Sequence, residues 1–208
     1  MSAIPDSSLP GHQKLHERVV AALDVRLESR DIEFKSARPW SELHYKIVRT
    51  CLAMANLRDG GVIVIGVDES GSSWTLQGID DACLATYDGD SINDFINKYA
   101  SPTIRVDLVA VPYEGRRFLA IYVPEFDLTP VVCRADAGPQ SGLTRGAIFV
   151  RPIGKPETCE VRDAAQLEDL LELASEKRTR RFLEKAARLG MRATASTTDS
   201  FDEELEGL

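Results

Sequence analysis

Apolar side chains recur at helical spacing in four stretches of the chain. In the first stretch they occupy every fourth position from Leu15 to Leu27, so we expect a helix that ends near Glu28. Stripes of the same kind predict three further helices, whose expected first residues or N-caps are Ser41, Ser91 and Asp163. The last helix is expected to bury four residues: Leu167, Leu170, Leu171 and Ala174.

Short apolar or alternating runs between these helices predict β-strands. Glu114 and Gly115 separate two β-rich runs, which indicates a hairpin with its turn at these two residues. The other predicted strands lie within "DIEFK", "VIVIGVD", "TLQGID", "PVVCRA" and "GAIFVRPIG". The mixed order of helices and strands predicts an α+β fold in which helices flank a mixed β-sheet.

Charge is distributed unevenly along the 208 residues, although the net charge is −8. Residues 177–192 contain seven Lys or Arg and one Glu, whereas residues 193–208 contain five acids and no Lys or Arg. We therefore predict four segments: an N-terminal helical extension (1–27), a globular domain (28–175), a basic helical segment (176–192) and an acidic disordered tail (193–208).

Several classes of protein are disfavoured by the same sequence. The longest apolar runs fall far short of the ~20 residues that span a bilayer, and the start of the chain lacks the features of a secretory signal. We therefore expect no membrane association and a cytoplasmic location. The four cysteines are far apart without zinc-ligand spacing, and no Walker motif follows the Gly60-Gly61 turn, which disfavours zinc and ATP sites.

Four motifs in this order resemble the Schlafen AlbA-type domain: "LESRDIEFK", "AMANLRDGGVIVIGVDESG", "LQGID" and "GAIFVRPIGKPET". The resemblance spans about Leu27 to Leu173 and implies a nucleic-acid-associated domain. In animal Schlafen proteins two such lobes form a basic valley that grips structured RNA, and one lobe is a metal-dependent endoribonuclease of transfer and ribosomal RNA. The three acids of that site correspond to Glu28, Glu33 and Glu69. Many bacterial relatives are described only as DNA-binding or ATP-binding modules.

The chemistry of these acids is consistent with a Mg²⁺ or Mn²⁺ site, because both ions prefer hard oxygen ligands. Glu28 and Glu33 are separated by an odd number of residues, so on one straight strand their side chains would face opposite sides. They can converge only if Glu28 lies on the preceding helix end or turn. The family has Asp where this chain has Glu69, and Asp68 is an alternative third ligand. Ordinary surface carboxylates remain the alternative interpretation.

Four basic residues are candidate phosphate contacts: Lys35, Lys46, Arg49 and Arg151. The leading hypothesis is a divalent-metal-dependent endoribonuclease that acts on structured RNA, such as tRNA or rRNA, with Glu28, Glu33 and Glu69 or Asp68 as catalytic residues. The alternatives are a non-catalytic module that binds DNA or RNA and a protein-interaction domain. Because a single lobe stands where the animal proteins use two, we also predict a homodimer. The acidic tail either competes with RNA or serves only solubility.

Overall fold

The structure, a computed structural model, describes residues 4–5, 12–70, 73–154 and 156–189. Five helices form in these residues: α1 (Gln13–Val25), α2 (Trp40–Ala55), α3 (Asp81–Leu84), α4 (Gly89–Asn97) and α5 (Ala164–Arg188). The ten strands of the same residues are β1 (Ile32–Lys35), β2 (Gly61–Ile65), β3 (Val67–Ser70), β4 (Ser73–Leu76), β5 (Ala100–Ser101), β6 (Asp107–Tyr113), β7 (Arg116–Val123), β8 (Val132–Cys133), β9 (Phe149–Val150) and β10 (Cys159–Glu160).

The main sheet has four strands in the order β1-β2-β7-β6. Strand β1 is parallel to β2, with Glu33 opposite Ile63, and the other two pairings are antiparallel. Three two-stranded pairs, β3-β4, β5-β8 and β9-β10, complete the strands of the described residues. The predicted α+β fold with a mixed sheet and flanking helices is therefore confirmed, and so is the hairpin at Glu114-Gly115.

Two hydrophobic cores lie on opposite faces of the main sheet. Along β2, Val62 and Val64 belong to the core that includes α1, whereas Ile63 and Ile65 belong to the core that includes α2. This alternation follows from the two-residue period of a strand. Strand β1 is at the sheet edge, so one side of its backbone is not paired with another main-sheet strand.

Backbone conformation explains where the long apolar run "VIVIGVD" begins and breaks. Gly60 has a φ of +66°, and a Cβ atom there would lie 2.0 Å from the carbonyl oxygen of Val123. The turn before β2 therefore requires glycine. Gly66, with a φ of +116°, separates β2 from β3, so the predicted single strand is two strands that belong to different sheets.

Some details of the predicted helices were wrong. Ser41 was expected to cap α2, but the residue in the N-cap position is Pro39. Ser91 was expected to cap α4, but the capping side chain is that of Asp88, which accepts a hydrogen bond from the amide of Ser91. In the last helix the buried residues are Leu170, Leu173 and Ala174, whereas the expected core residues Leu167 and Leu171 are 40% and 58% exposed. Helix α3 and strands β5 and β10 were not predicted. All four cysteines are free thiols.

The chain divides into two units, residues 1–174 and 175–208. The described part of the second unit is the remainder of α5 and Leu189, and it exposes the apolar side chains of Phe182, Leu183 and Leu189. The predicted acidic tail, 193–208, lies outside the described residues, and the four predicted segment boundaries stay predictions. In the described part of the chain, no helix is long and apolar enough to cross a membrane.

The hydroxyl of Tyr113 on β6 donates a hydrogen bond to Asp24 Oδ1 on α1 at 2.5 Å. This hydrogen bond, together with partial burial and the nearby carboxylate charge, raises the pKa of Tyr113 to about 12. The neutral hydroxyl is the donor, so the interaction is complete below the ordinary tyrosine pKa of about 10 and is lost as the pH rises through 12. In ¹³C NMR titrations we expect one tyrosine Cζ signal with a midpoint near 12, absent in Tyr113→Phe.

The matched control for this titration is Asp24→Asn, which keeps the tyrosine and removes the carboxylate. The Tyr113 midpoint should then move down toward the ordinary tyrosine value, since an amide carries no negative charge. An unchanged midpoint in Asp24→Asn would contradict the assigned cause.

Candidate functional site

The turn between α1 and β1 brings the two predicted acids Glu28 and Glu33 together. Helix α1 ends with Arg26 in the left-handed conformation, at a φ of 52°. Residues Ser29 and Ile32 then close a tight turn through two backbone hydrogen bonds of 3.2 and 3.3 Å. Glu28 therefore lies in the turn and Glu33 on the strand, which is the arrangement that their odd spacing requires.

The half-buried carboxylate of Glu28 covers the unpaired edge of β1, where its Oε1 accepts a hydrogen bond from the amide of Phe34 at 2.7 Å. Burial raises the pKa of Glu28, and the negative charge of Glu33 raises it further. The Phe34 amide, Lys35 and Arg151 oppose this rise, but the net shift is upward. The two carboxylates therefore repel each other across the turn.

Glu33 lies on the α2-facing side of β1, because it is opposite Ile63 of that core. Lys35, two residues later on the same face, donates to Glu33 Oε1 and also to the carbonyl of Phe34. The other oxygen, Glu33 Oε2, accepts from Arg151 Nη1 at 2.5 Å. Both carboxylate oxygens of Glu33 therefore have cationic partners.

Arg151, just after β9, is fully buried, contrary to the predicted role in phosphate contact. Besides its bond to Glu33, its Nε donates to the carbonyl of Arg30 at 2.7 Å, and its Nη2 donates to the carbonyls of Ser29 and Ile32 at 3.0 and 3.3 Å. These acceptors span the turn between the two acids. The guanidinium is therefore a structural clamp on the turn and does not form part of an exposed basic surface.

A second group of charges holds the outer side of the same turn. Asp31 accepts from Arg18 Nη2 on α1 at 2.5 Å and from the hydroxyl of Ser29 at 2.6 Å. Burial by itself raises the pKa of Asp31, but these hydrogen bonds and the charge of Arg18 outweigh it and hold the pKa below its usual value. Asp31 is thus an ionised brace between α1 and the turn.

The predicted third acid does not join this pair. Glu69 is exposed and lies opposite Trp74 in the β3-β4 pair, and the Trp74 ring contacts Phe34 with ring centroids 5.4 Å apart. Since Phe34 alternates with Glu33 along β1, Trp74 lies on the other side of the strand from Glu33. Asp68 accepts from Gln77 Nε2 at 3.3 Å. Among the described residues, no three Asp, Glu, His or Cys side chains are arranged to hold a metal ion.

Comparison with known families identifies the domain that carries this turn. A family model described as "Schlafen, AlbA_2" matches residues 28–155, which is more than half of the chain. The chain belongs to the Schlafen AlbA_2 family. The matched range begins at Glu28 and includes Glu33, Lys35 and Arg151, so the family domain contains both acids and both of their cationic partners.

Two solved structures are similar to parts of this Schlafen AlbA_2 chain. The DIP2311 protein from Corynebacterium diphtheriae is 17% identical, with a TM-score of 0.49 over 76% of this chain and 33% of that one. The chain thus spans about a third of the length of DIP2311. The N-terminal domain of a protein related to the DNA helicase RecG, from Nitrosomonas europaea, is 23% identical, with a TM-score of 0.44 over 72% and 95% of the two chains. No curated protein matches.

The other predicted basic residues lie on α2 of the Schlafen AlbA_2 domain. Arg49 is half-buried: its guanidinium carbon lies 5.5 Å from the ring centroid of Phe149, and Nη2 donates to the carbonyl of Thr158 at 2.9 Å. Arg49 thus packs α2 against β9 and the segment before β10. Lys46 is exposed on α2. Of the four basic candidates, Lys35 is the one that both contacts an acid of the pair and keeps part of its side chain accessible to solvent.

Sequence reasoning missed three residues of the site: Arg18, Arg30 and Asp31. Arg30 is exposed, and its Nε donates to the carbonyl of Arg151 at 2.5 Å. Together with Arg58 it lines a cleft of about 380 Å³ next to Arg151, whose lining also includes the acids Asp163, Asp169 and Glu172. Arg30 and Asp31 could have been predicted from their position between the two glutamates. Every residue of a short turn that joins two functional groups affects the distance between those groups.

Proposed function

We propose that this Schlafen AlbA_2 chain is a divalent-metal-dependent endoribonuclease that cleaves structured RNA, with tRNA as the first substrate to test and rRNA as the second. The observation that carries the proposal is the convergence of Glu28 and Glu33 across a clamped turn, with Lys35 on the same face. A carboxylate whose pKa is raised by burial and by a second carboxylate is a recurrent feature of functional sites, and carboxylate oxygens are the ligands that Mg²⁺ and Mn²⁺ prefer.

The donor set of this pair fits Mg²⁺ or Mn²⁺, since both ions accept two carboxylates and complete their coordination with water. Glu28 and Glu33 would hold the ion. When bound, it would supply a positive charge next to a phosphate and lower the pKa of a coordinated water. Lys35 is the partner of Glu33 that can yield to the ion, because its ammonium sits on a flexible stem, whereas Arg151 is fixed by three backbone carbonyls.

Each residue of the site then has a separate task. Arg151 positions Glu33 and the turn, and Asp31 with Arg18 braces the turn from outside. Lys35, once released from Glu33, would be available to contact a phosphate oxygen of RNA, which would orient the substrate by a sequence-independent contact. The exposed Arg30 next to the same turn offers a second contact of that kind.

One observation favours a second function, a non-catalytic module that binds DNA or RNA. The charges of Glu28 and Glu33 are already balanced by Lys35 and Arg151, so the pair does not need a metal ion in order to be stable. In addition, no third acid accompanies the pair in the part of the chain that the structure describes. Such a module would bind nucleic acid in a salt-dependent manner without cleaving it.

The decisive experiment incubates total tRNA with the full chain and Mn²⁺ or Mg²⁺. Cleavage is expected with either ion and not with EDTA, and Glu28→Ala or Glu33→Ala should lower the rate by roughly 100-fold or more, since each removes a direct metal ligand. Mn²⁺ binding measured by electron paramagnetic resonance gives a readout that does not depend on RNA, and both variants should weaken it.

Three variants serve as comparisons in that assay. Glu42→Ala removes an exposed α2 glutamate that pairs with Arg38, and it should leave the rate unchanged. Glu69→Ala and Asp68→Ala ask whether either residue acts as a third ligand in the complex with RNA. Cleavage that persists at full rate in both Glu28→Ala and Glu33→Ala would exclude this site, and binding without cleavage by the unmodified chain would favour the second function.

Homodimerisation and a cytoplasmic location stay predictions. Light scattering at micromolar protein concentration tests the first, and a monomer mass would contradict it.

A further inference from the structure

The described part of the second unit is a basic helix with an exposed apolar stripe. Residues 175–188 of α5 contain six Lys or Arg and two Glu. Arg178, Arg181, Lys185 and Arg188 follow one another at spacings of three and four, which places them on one side of the helix. We name these four residues, with Lys177, the basic strip.

Apolar residues lie next to the basic strip. Phe182 and Leu189 are seven positions apart and therefore share a stripe, and they are 66% and 68% exposed. Exposed apolar side chains that share one stripe form a candidate binding surface when charged residues lie beside them. The second unit thus presents a surface that fits a partner with negative charges and a few apolar groups.

We propose that the basic strip and its apolar stripe bind the acidic segment of the same chain, residues 199–208. This segment lies outside the described residues, and its sequence contains five acids: Asp199, Asp202, Glu203, Glu204 and Glu206. The apolar residues Phe201, Leu205 and Leu208 are interspersed with them at spacings of four and three. Both the charge and the apolar content of the segment complement the α5 surface.

Chain length permits this contact. The basic strip from Lys177 to Arg188 is roughly 17 Å long at 1.5 Å per residue. Nine residues, 190–198, lie between Leu189 and Asp199. A random-coil chain of nine residues would have a root-mean-square span of roughly 15–18 Å, which matches the length of the strip. The effective concentration of the segment at the strip is then in the millimolar range.

The consequence is a competition between the segment and other polyanions for α5. At an ionic strength of 0.1 M, charges are screened beyond about 10 Å, so the contact should be sensitive to salt. While it is bound, the segment would prevent the basic strip from binding RNA without specificity. The contact itself does not depend on the proposed function.

Zero-length carbodiimide cross-linking of the full chain, followed by peptide mass spectrometry, tests the proposal. The reagent joins a lysine amine only to a carboxylate in direct contact. Cross-links are expected from Lys185 and Lys177 to acids within residues 199–206, and they should disappear in about 0.5 M NaCl because the Debye length there is below 5 Å. The control lysines are exposed and lie elsewhere: Lys14, Lys46 and Lys98. Tail cross-links spread evenly over all five lysines, absent altogether, or joining two molecules would each overturn the proposal.

A second arm compares two full-length variants in binding to a 20-nucleotide RNA hairpin, and this arm does rest on the proposed function. Changing the five tail acids to their amides should tighten binding by roughly tenfold at 50 mM salt and have no effect at high salt. The charge-matched control changes five exposed acids of the first unit to amides: Glu17, Asp94, Asp107, Glu157 and Glu168. An equal gain in the two variants would contradict a specific contact, whereas absent RNA binding with positive cross-links would reject the proposed function alone.

Discussion

Replacing Arg151 with alanine is expected to lower the free energy of unfolding by about 3–5 kcal/mol, because the change removes one partner of a buried ion pair. The guanidinium of Arg151 is fully buried and donates to Glu33 and to three carbonyls of the turn. Since a domain is typically stabilised by about 5–15 kcal/mol, this loss is a large part of the total. Urea unfolding followed by circular dichroism measures the change.

The control for this variant is Arg38→Ala. Arg38 is exposed, lies just before α2 and pairs with Glu42 four residues later, so its loss should cost no more than about 0.5 kcal/mol. If the two arginine variants lost equal stability, the clamp on the turn would have no energetic importance.

A double variant separates the lost charge from the lost packing. Arg151→Met keeps most of the side-chain volume but leaves Glu33 with Lys35 as its cationic partner. Adding Glu33→Gln removes the buried charge, so the double variant should be more stable than Arg151→Met alone. That result would show that the loss in Arg151→Met comes largely from the buried charge of Glu33 that has lost Arg151.

Local patterns were sufficient to predict most of the fold. Helix α2 and the β6-β7 hairpin have strong periodicity and turn signals within a few residues, and both lie where the sequence indicated. The stripe of α5 was assigned partly to the wrong side, since Leu167 and Leu171 are exposed. A helical stripe tells which residues share a side, but the position of the sheet decides which side is buried.

The candidate site was predictable where covalent geometry limited the options. The odd spacing of Glu28 and Glu33 required a turn between them, and the structure has that turn. Arg151 was misassigned because its acceptors, the carbonyls of residues 29, 30 and 32, are about 120 positions away in sequence. No local pattern distinguishes an arginine that serves such distant carbonyls from one that faces solvent.

The clamp also changes how the two carboxylates should be understood. Without Arg151 and Lys35, two half-buried carboxylates would require a cation, and their proximity would be direct support for a metal ion. With both cations present, the pair is neutral overall, so metal binding must displace Lys35 or add a further acid. Lys35 and a divalent ion would therefore compete for the carboxylate of Glu33. The outcome of that competition distinguishes the two proposed functions, a nuclease and a non-catalytic binding module.

Asn56→Ala is expected to cost about 3 kcal/mol or more, because three buried backbone groups lose their partner at once. Asn56, at the C-terminus of α2, donates to the carbonyls of Val131 and Phe149 at 2.9 and 3.0 Å and accepts from the amide of Val131 at 2.7 Å. It is almost fully buried, so water does not replace these bonds. Urea unfolding measures the loss, and hydrogen exchange of the Val131 amide should become faster.

The matched control is Asn97→Ala. Asn97 makes the same kind of paired contact, donating to the carbonyl of Ile104 and accepting from its amide, but it is only half-buried. Water can replace part of that pair, so its loss should cost about 1–2 kcal/mol. Because Phe149 is two residues before Arg151, Asn56→Ala should also weaken Mn²⁺ binding at Glu33, whereas Asn97→Ala should not. Equal stability losses and unchanged Mn²⁺ binding in both variants would show that β9 holds the clamp without Asn56.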